Sequence, residues 1–425
     1  MRSPPRLRLW AAALAPGILV AATGVGAGDL LTASLAGSTV GVTILWACWV
    51  GALLKWFLNE GIARWQMATG TTLLEGWTER LGAWIRWVFL GYLLAWSYFT
   101  GAALISACGV AGAGLLPLAQ NAEHSKIIWG VVHALAGLAL VWCGGFRFFE
   151  GVMSACVALM FVTVVATTLL VGPDWPAVAR GLVVPTMPAG SGTWTLGLLG
   201  GVGGTVTLLS YGYWIREQGR AGANGLRVCR IDLAVAYALT ALFGTCMVIV
   251  GSRLDLSSGP MLALALAEQV ALAAGALGPL ARQVFLLGFW GAVFSSLLGV
   301  WQSAPYLFAD FVYLGRRAGT APGPPADLRR TPIYGLFLVG IALVPLVALW
   351  MPVRQVQLAY AMFGALFMPL LALTLLIMNN RPAWVGGGFR NRLATNVALV
   401  ATLAVFAWIG GGEALEAIRK LVPAR

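Results

Sequence analysis

Charged side chains are scarce in this chain, and histidine is scarcer. Only 10% of its 425 residues are Asp, Glu, Lys or Arg, against roughly 25% in soluble domains. That deficit excludes an ordinary water-soluble globular protein. The two histidines, His124 and His133, stand far from any ligand-like spacing. The six cysteines, Cys48, Cys108, Cys143, Cys156, Cys229 and Cys246, lie in or near apolar runs and form no CxxC pair. They read as small core residues, and a His/Cys transition-metal enzyme site is not expected. There is no Ser/His/Asp set, no HExxH and no Walker-type loop, so neither an enzyme nor coupling to ATP is expected. No catalytic residue, resident metal or cofactor is assigned.

Hydrophobicity is what the chain has in excess. Hydrophobic residues make up 60% of it, and the mean hydropathy is +0.85. At about 20 apolar residues per crossing, eleven spans are expected, near 11–37, 41–67, 84–109, 127–144, 152–172, 194–215, 231–252, 281–308, 333–351, 354–378 and 393–411. The first is too long for a signal-peptide core. The net charge of +12 is not a nucleic-acid signature, because the basic residues sit in short loops. With the N-terminus in the cytoplasm, eighteen of the 27 basic residues fall on the inner side and eight on the outer, with Lys55 inside a span. This bias predicts a multi-pass cell-membrane protein with its N-terminus inside and its C-terminus outside. The Pro-rich stretch from Arg316 to Thr331 reads as a link. The segment Asp255 to Ala281 reads as an outer amphipathic or interfacial helix.

Gly24-Val25-Gly26-Ala27-Gly28-Asp29 interrupts the first span, and a second cluster, Gly197 to Gly204, opens the sixth. Each glycine weakens a helix by about 1 kcal/mol against alanine, and a carboxylate at bilayer depth costs several kcal/mol more. Two such interruptions in corresponding halves point to a transporter whose site lies between broken helices at the midplane. Five spans separate them, so the two run in opposite directions. The expected architecture is a single all-α domain over 1–425 with an inverted five-plus-five repeat: repeat one about 11–172, repeat two about 194–378, and an extra span at 393–411.

The intramembrane polar groups are Asp29, Lys55, Asn59, Glu60, Ser210, Tyr211, Tyr213, Trp214, Glu217, Gln218, Gln302 and Asp310. Asp29 follows the break directly; it either binds cargo or a proton, or bonds the N–H groups that the break frees. Lys55 with Asn59 and Glu60 with Arg64 are i,i+4 neighbours that can pair locally, and Lys55 can also reach a carboxylate on another span or serve a proton relay. Tyr211 to Gln218 reads equally as interfacial belt or site lining. Gln302 and Ser303, with Ser295 and Ser296, make a polar stripe that suits a substrate role or helix packing. Trp96, Ser97 and Tyr98 are a similar group on the third span.

Several of these residues resemble a known family. Ala15-Pro16-Gly17-Ile18-Leu19-Val20-Ala21, Gly26-Ala27-Gly28-Asp29, Leu35-Ala36-Gly37-Ser38 and Thr43-Ile44-Leu45-Trp46 are similar to the GPGxLVA, DPGN, LAGGS and TLLW motifs of Nramp-type transporters. The likeness returns at Gly204-Thr205-Val206 and Gln218 to Arg220, and covers most of the chain at low identity. It implies a LeuT-like fold, eleven or twelve spans, and proton-coupled import of divalent metals. The departures fall on the metal site. The motif's first carboxylate position is Gly26 and its asparagine position is Asp29. The MPH motif falls on Thr207-Leu208-Leu209, without its thioether or histidine. The family's span-ten glutamine falls near Met362. Loss of the soft ligand disfavours transition metals.

The resulting expectation is a secondary active transporter working by alternating access. Its cargo is a small polar solute, sugar-like in the first reading, with a divalent cation, Mg²⁺ or Mn²⁺, as the alternative. Gly26, Gly28, Asp29, Thr207, Ser210, Tyr211 and Gln302 are the expected substrate residues, and Asp29 and Glu60 the expected proton carriers. The expected partners are the cargo, protons and the lipid bilayer, and not nucleic acid.

Overall fold

The structure is a computed structural model. It describes the backbone of residues 17, 19–21, 24–26, 28–144, 146–201, 203–253, 262–317 and 327–421, and within them all side chains except those of 28, 29, 83, 146–150, 157, 262–263, 315–317 and 413–421. Among the described residues there is helix and no strand.

Nine helical runs are long and apolar enough to cross a membrane among the described residues. Eleven crossings were expected, and the difference has a simple cause. The run Leu30–Thr69 joins the second half of span one to span two, with Gly41 at φ +76° turning the chain between them. Span six is split into pieces too short to be counted. Its first half is Gly192–Leu196 continuing as a π turn, Gly197–Gly201, and its second is a 3-10 turn, Val206–Leu209, leading into Ser210–Glu217. The remaining spans are Ala83–Leu115, Ala122–Cys143, Phe146–Leu170, Gly222–Gly251, Gly278–Arg317, Pro332–Leu343 with Val344–Trp350, Val353–Ala365 with Phe367–Asn379, and Leu393–Leu421. Helix is therefore found in each of the eleven expected spans among the described residues, with 11–16 of the first lying outside them. The eighth is longer than expected, and Leu262–Ala273 is helical where an outer helix was placed.

Local chemistry explains where the helices begin. Thr72 and Glu75 form a reciprocal capping box at the start of Leu73–Arg80. Asn121, Asp174 and Thr331 each accept a backbone N–H at a helix start. Large apolar side chains such as Trp87, Val162, Leu336 and Trp408 are exposed on the outside, where lipid and not water is their solvent. The interior is packed through small residues. The second half of span one crosses span seven so closely that a Cβ at Gly37 would lie 2.2 Å from the Val248 carbonyl oxygen, and one at Gly251 2.2 Å from that of Ser34. Such contacts let main chains approach where side chains would hold them apart.

Gly251→Ala forces this crossing open and is expected to cost about 1–3 kcal/mol, read as a lowered melting temperature in detergent. Gly340→Ala meets open space and leaves it unchanged.

Candidate functional site at the two helix breaks

The two interruptions meet main chain to main chain. A Cβ on Gly24 would sit 2.6 Å from the carbonyl carbon of Gly203, so only glycine fits there. Gly203 and Gly204 both take φ +83°, a region side chains disfavour. Unwound backbone inside a membrane must find partners, and two side chains supply them here, while a third holds the neighbouring side chain. Ser296 Oγ donates to the Val25 carbonyl at 3.0 Å. Lys55 Nζ donates to the Gly204 carbonyl at 2.7 Å. Trp96 Nε1 donates to Thr205 Oγ1 at 2.6 Å, fixing the start of the second half of span six.

Between the breaks lies a cavity of about 10 Å³, lined by Gly24, Gly26, Trp96, Thr207, Ser296 and Tyr360 among others. That is room for about one water. Of the expected substrate residues, Gly26 and Thr207 line it. Gly26 is pressed against span eight, since a Cβ there would lie 2.3 Å from Ser296 Oγ. Gly28 and Asp29 lie in the π turn Gly28–Thr32 immediately after the break, and their side chains are outside the described residues. Ser210 is buried beside Thr207 in sequence but is not part of the lining.

Two expected site residues are placed elsewhere. Gln302 lines a separate cavity of about 1010 Å³ with Trp142, Asp327, Arg329 and Tyr334. The Tyr211 hydroxyl points to span seven, donating to Asp232 Oδ2 at 2.9 Å. The cause is helix rotation: Ser296, and not Gln302, is the member of the span-eight stripe turned toward the breaks. Span ten behaves the same way. Met362 is exposed and borders an outer apolar groove, whereas Tyr360 reaches the cavity.

Below the breaks, ion pairs bind the helices on the face that carries most of the arginines. Asp232, buried in span seven, went unmarked in the sequence. Its Oδ1 accepts the Gly17 N–H at 2.9 Å, and its Oδ2 accepts Tyr211 and Arg220, the latter at 3.0 Å. One carboxylate thus holds the first half of span one, the second half of span six and the loop beyond it. Tyr213 donates to Asp310 at 2.5 Å, and Arg216 reaches Glu75 at 2.6 Å. Glu60, the second expected proton carrier, is taken up by two guanidiniums. Arg64 is its expected i,i+4 partner at 2.5 Å, and Arg230 approaches from span seven at 2.8 Å. The expected Lys55–Asn59 pair does not form: Asn59 Nδ2 donates to the Tyr237 hydroxyl at 3.1 Å. Glu217, the last residue of span six, pairs with Arg329 at 3.4 Å.

His133 is a packed aromatic-core residue. Trp290 Nε1 donates to its Nε2 at 2.7 Å, so Nδ1 carries the proton and donates to the Trp129 carbonyl at 2.7 Å. Five of the six cysteines are buried, with Cys143 the exposed exception.

Two interrupted helices with apposed unwound segments, set in an all-helical bundle, define a secondary transporter of the LeuT-like inverted-repeat class. The model of the family described as "Natural resistance-associated macrophage protein-like" matches residues 17–412, and the chain belongs to the Nramp family. It is a transporter and not an enzyme. It is similar to a divalent metal cation transporter, MntH, of Chromohalobacter salexigens, with 24% identity over 325 residues, 72% of each chain. In structure it resembles the manganese transporter of Eremococcus coleocola in its H236A mutant form, with a TM-score of 0.74, 16% identity, and coverage of 96% of this chain and 88% of that one. A more distant likeness is to MhsT in complex with L-phenylalanine, with a TM-score of 0.56, 14% identity, and coverage of 93% and 97%.

Asp232→Asn strips Arg220, 7% exposed, of its carboxylate partner. A loss of about 3–5 kcal/mol is expected, together with faster hydrogen exchange at the second half of span six, measured by mass spectrometry.

Proposed function

We propose that the chain carries a divalent metal cation across the cell membrane by alternating access, with the cargo held where spans one and six are broken. The observation that carries this reading is the chemistry of the space between the breaks. The side-chain oxygens among its lining residues are the hydroxyls of Thr100, Thr205, Thr207, Ser296 and Tyr360, and its volume is about 10 Å³. Sites that enclose organic ligands run to about 300–1,000 Å³, so the space favours an ion over the sugar-like solute. The family and the metal transporters it resembles favour the same alternative. Oxygen donors without a thioether suit a hard cation, and Mg²⁺, which keeps most of its waters and needs few protein ligands, fits better than a soft metal.

Asp29 is the proposed carboxylate of the site and the first candidate for carrying a coupling proton. Glu60, clamped by Arg64 and Arg230, is the second. The clamp argues that its main work is to join spans two and seven. The arginine-rich face is placed in the cytoplasm, with the N-terminus inside and the C-terminus outside.

The test is flux into proteoliposomes loaded with a Mg²⁺- or Mn²⁺-sensitive dye, alongside uptake of labelled glucose. Saturable metal flux is expected, and Asp29→Ala is expected to lower apparent metal affinity roughly tenfold to a hundredfold. Glucose uptake without metal flux overturns the proposal.

A further inference from the structure

Lys55 is fully buried in the middle of span two. A long, strongly hydrated cation is an expensive residue at that depth, and its position is not that of a surface charge. Its Nζ lies 2.7 Å from the Gly204 carbonyl oxygen, just past the π turn that ends the first half of span six. The carbonyls at a helix C-terminus lack intrahelical partners, and partial negative charge gathers there. In transporters with broken helices, such ends and unwound carbonyls are where small coupling cations are held. A second feature points to the same spot. Asn59, one turn further along the same helix face, is completely buried, and among the described residues its Oδ1 has no hydrogen-bond partner. A vacant buried acceptor one helical turn from the lysine is an oxygen that a small cation can use.

We infer that this is a monovalent-cation site filled from within, with the ammonium of Lys55 standing where a free alkali cation would otherwise hold the end of the half-helix. The chain carries its own structural cation, and span two is its tether. This goes beyond the cargo reading and does not depend on which solute passes between the breaks.

The site is exposed to test by removing the tether. The full-length chain, Lys55→Ala and Lys55→Met are purified in detergent and melted without divalent metal. Chloride salts of choline, Na⁺, K⁺ and methylammonium are compared at equal ionic strength. In Lys55→Ala the vacated space is expected to admit one of the small cations. Its melting temperature then rises saturably by about 3 °C or more over choline, while the unaltered chain shows no such difference. Lys55→Met, which fills the space without charge, is expected to melt low and to stay unresponsive. Lys55→Gln carries the same comparison if Lys55→Ala cannot be purified. The inference is overturned if no small cation distinguishes the truncated variant from its behaviour in choline, or if the unaltered chain responds to the same degree. Because the readout is melting without metal, failure here leaves the cargo proposal standing, and absence of metal flux leaves this one standing.

Discussion

Unwound backbone inside a bilayer has no water to turn to, and the rest of this structure is arranged around that constraint. Spans one and six give up helical hydrogen bonds at the same depth and lie against each other at Gly24 and Gly203. Lys55 from span two, Trp96 from span three and Ser296 from span eight each meet a group at or beside the breaks. Three separate helices are thereby committed to one small region. Span two is brought near by Gly51, where a Cβ would lie 3.0 Å from Leu199 Cα in the first half of span six.

Order of this kind at the centre is matched by a different bonding style toward the arginine-rich face. There the links are between full charges: Asp232 with Arg220, Glu60 with Arg64 and Arg230, Glu75 with Arg216. The two pairs buried on both sides, Asp232 with Arg220 and Glu60 with Arg64, bring little net stability against a well-packed apolar alternative, but breaking one is costly. The centre is held instead by single hydrogen bonds, one of them from the Lys55 ammonium.

Much of this was legible from the sequence, and the failures have a common physical origin. Span positions follow from hydrophobic length, and the breaks from glycine placed where a helix should not have it. The Glu60–Arg64 pair follows from spacing alone. What spacing cannot supply is the rotation of one helix against another. Tyr211 and Gln302 sit at plausible depth but face span seven and a peripheral cavity. Ser296, two turns before Gln302, faces the breaks. Lys55 looked able to close locally on Asn59, yet both side chains reach across to other helices. Asp232 follows Arg227 and Arg230, and a carboxylate in that setting reads as part of an ordinary polar helix end. Its importance lies in Gly17 and Tyr211, and neither is near it in the chain.

Gly17 gives that carboxylate an unusual kind of partner. The donor is a main-chain N–H, which every residue but proline possesses, so its supply is almost indifferent to what the codon specifies. The room for it is not. Any side chain at position 17 would place its first carbon 2.2 Å from Asp232 Oδ1. The contact is therefore encoded by the lack of an atom, and mutational drift can erase it only by addition. Bulk at position 17 and loss of charge at position 232 are distinct injuries that should converge on one loosened helix.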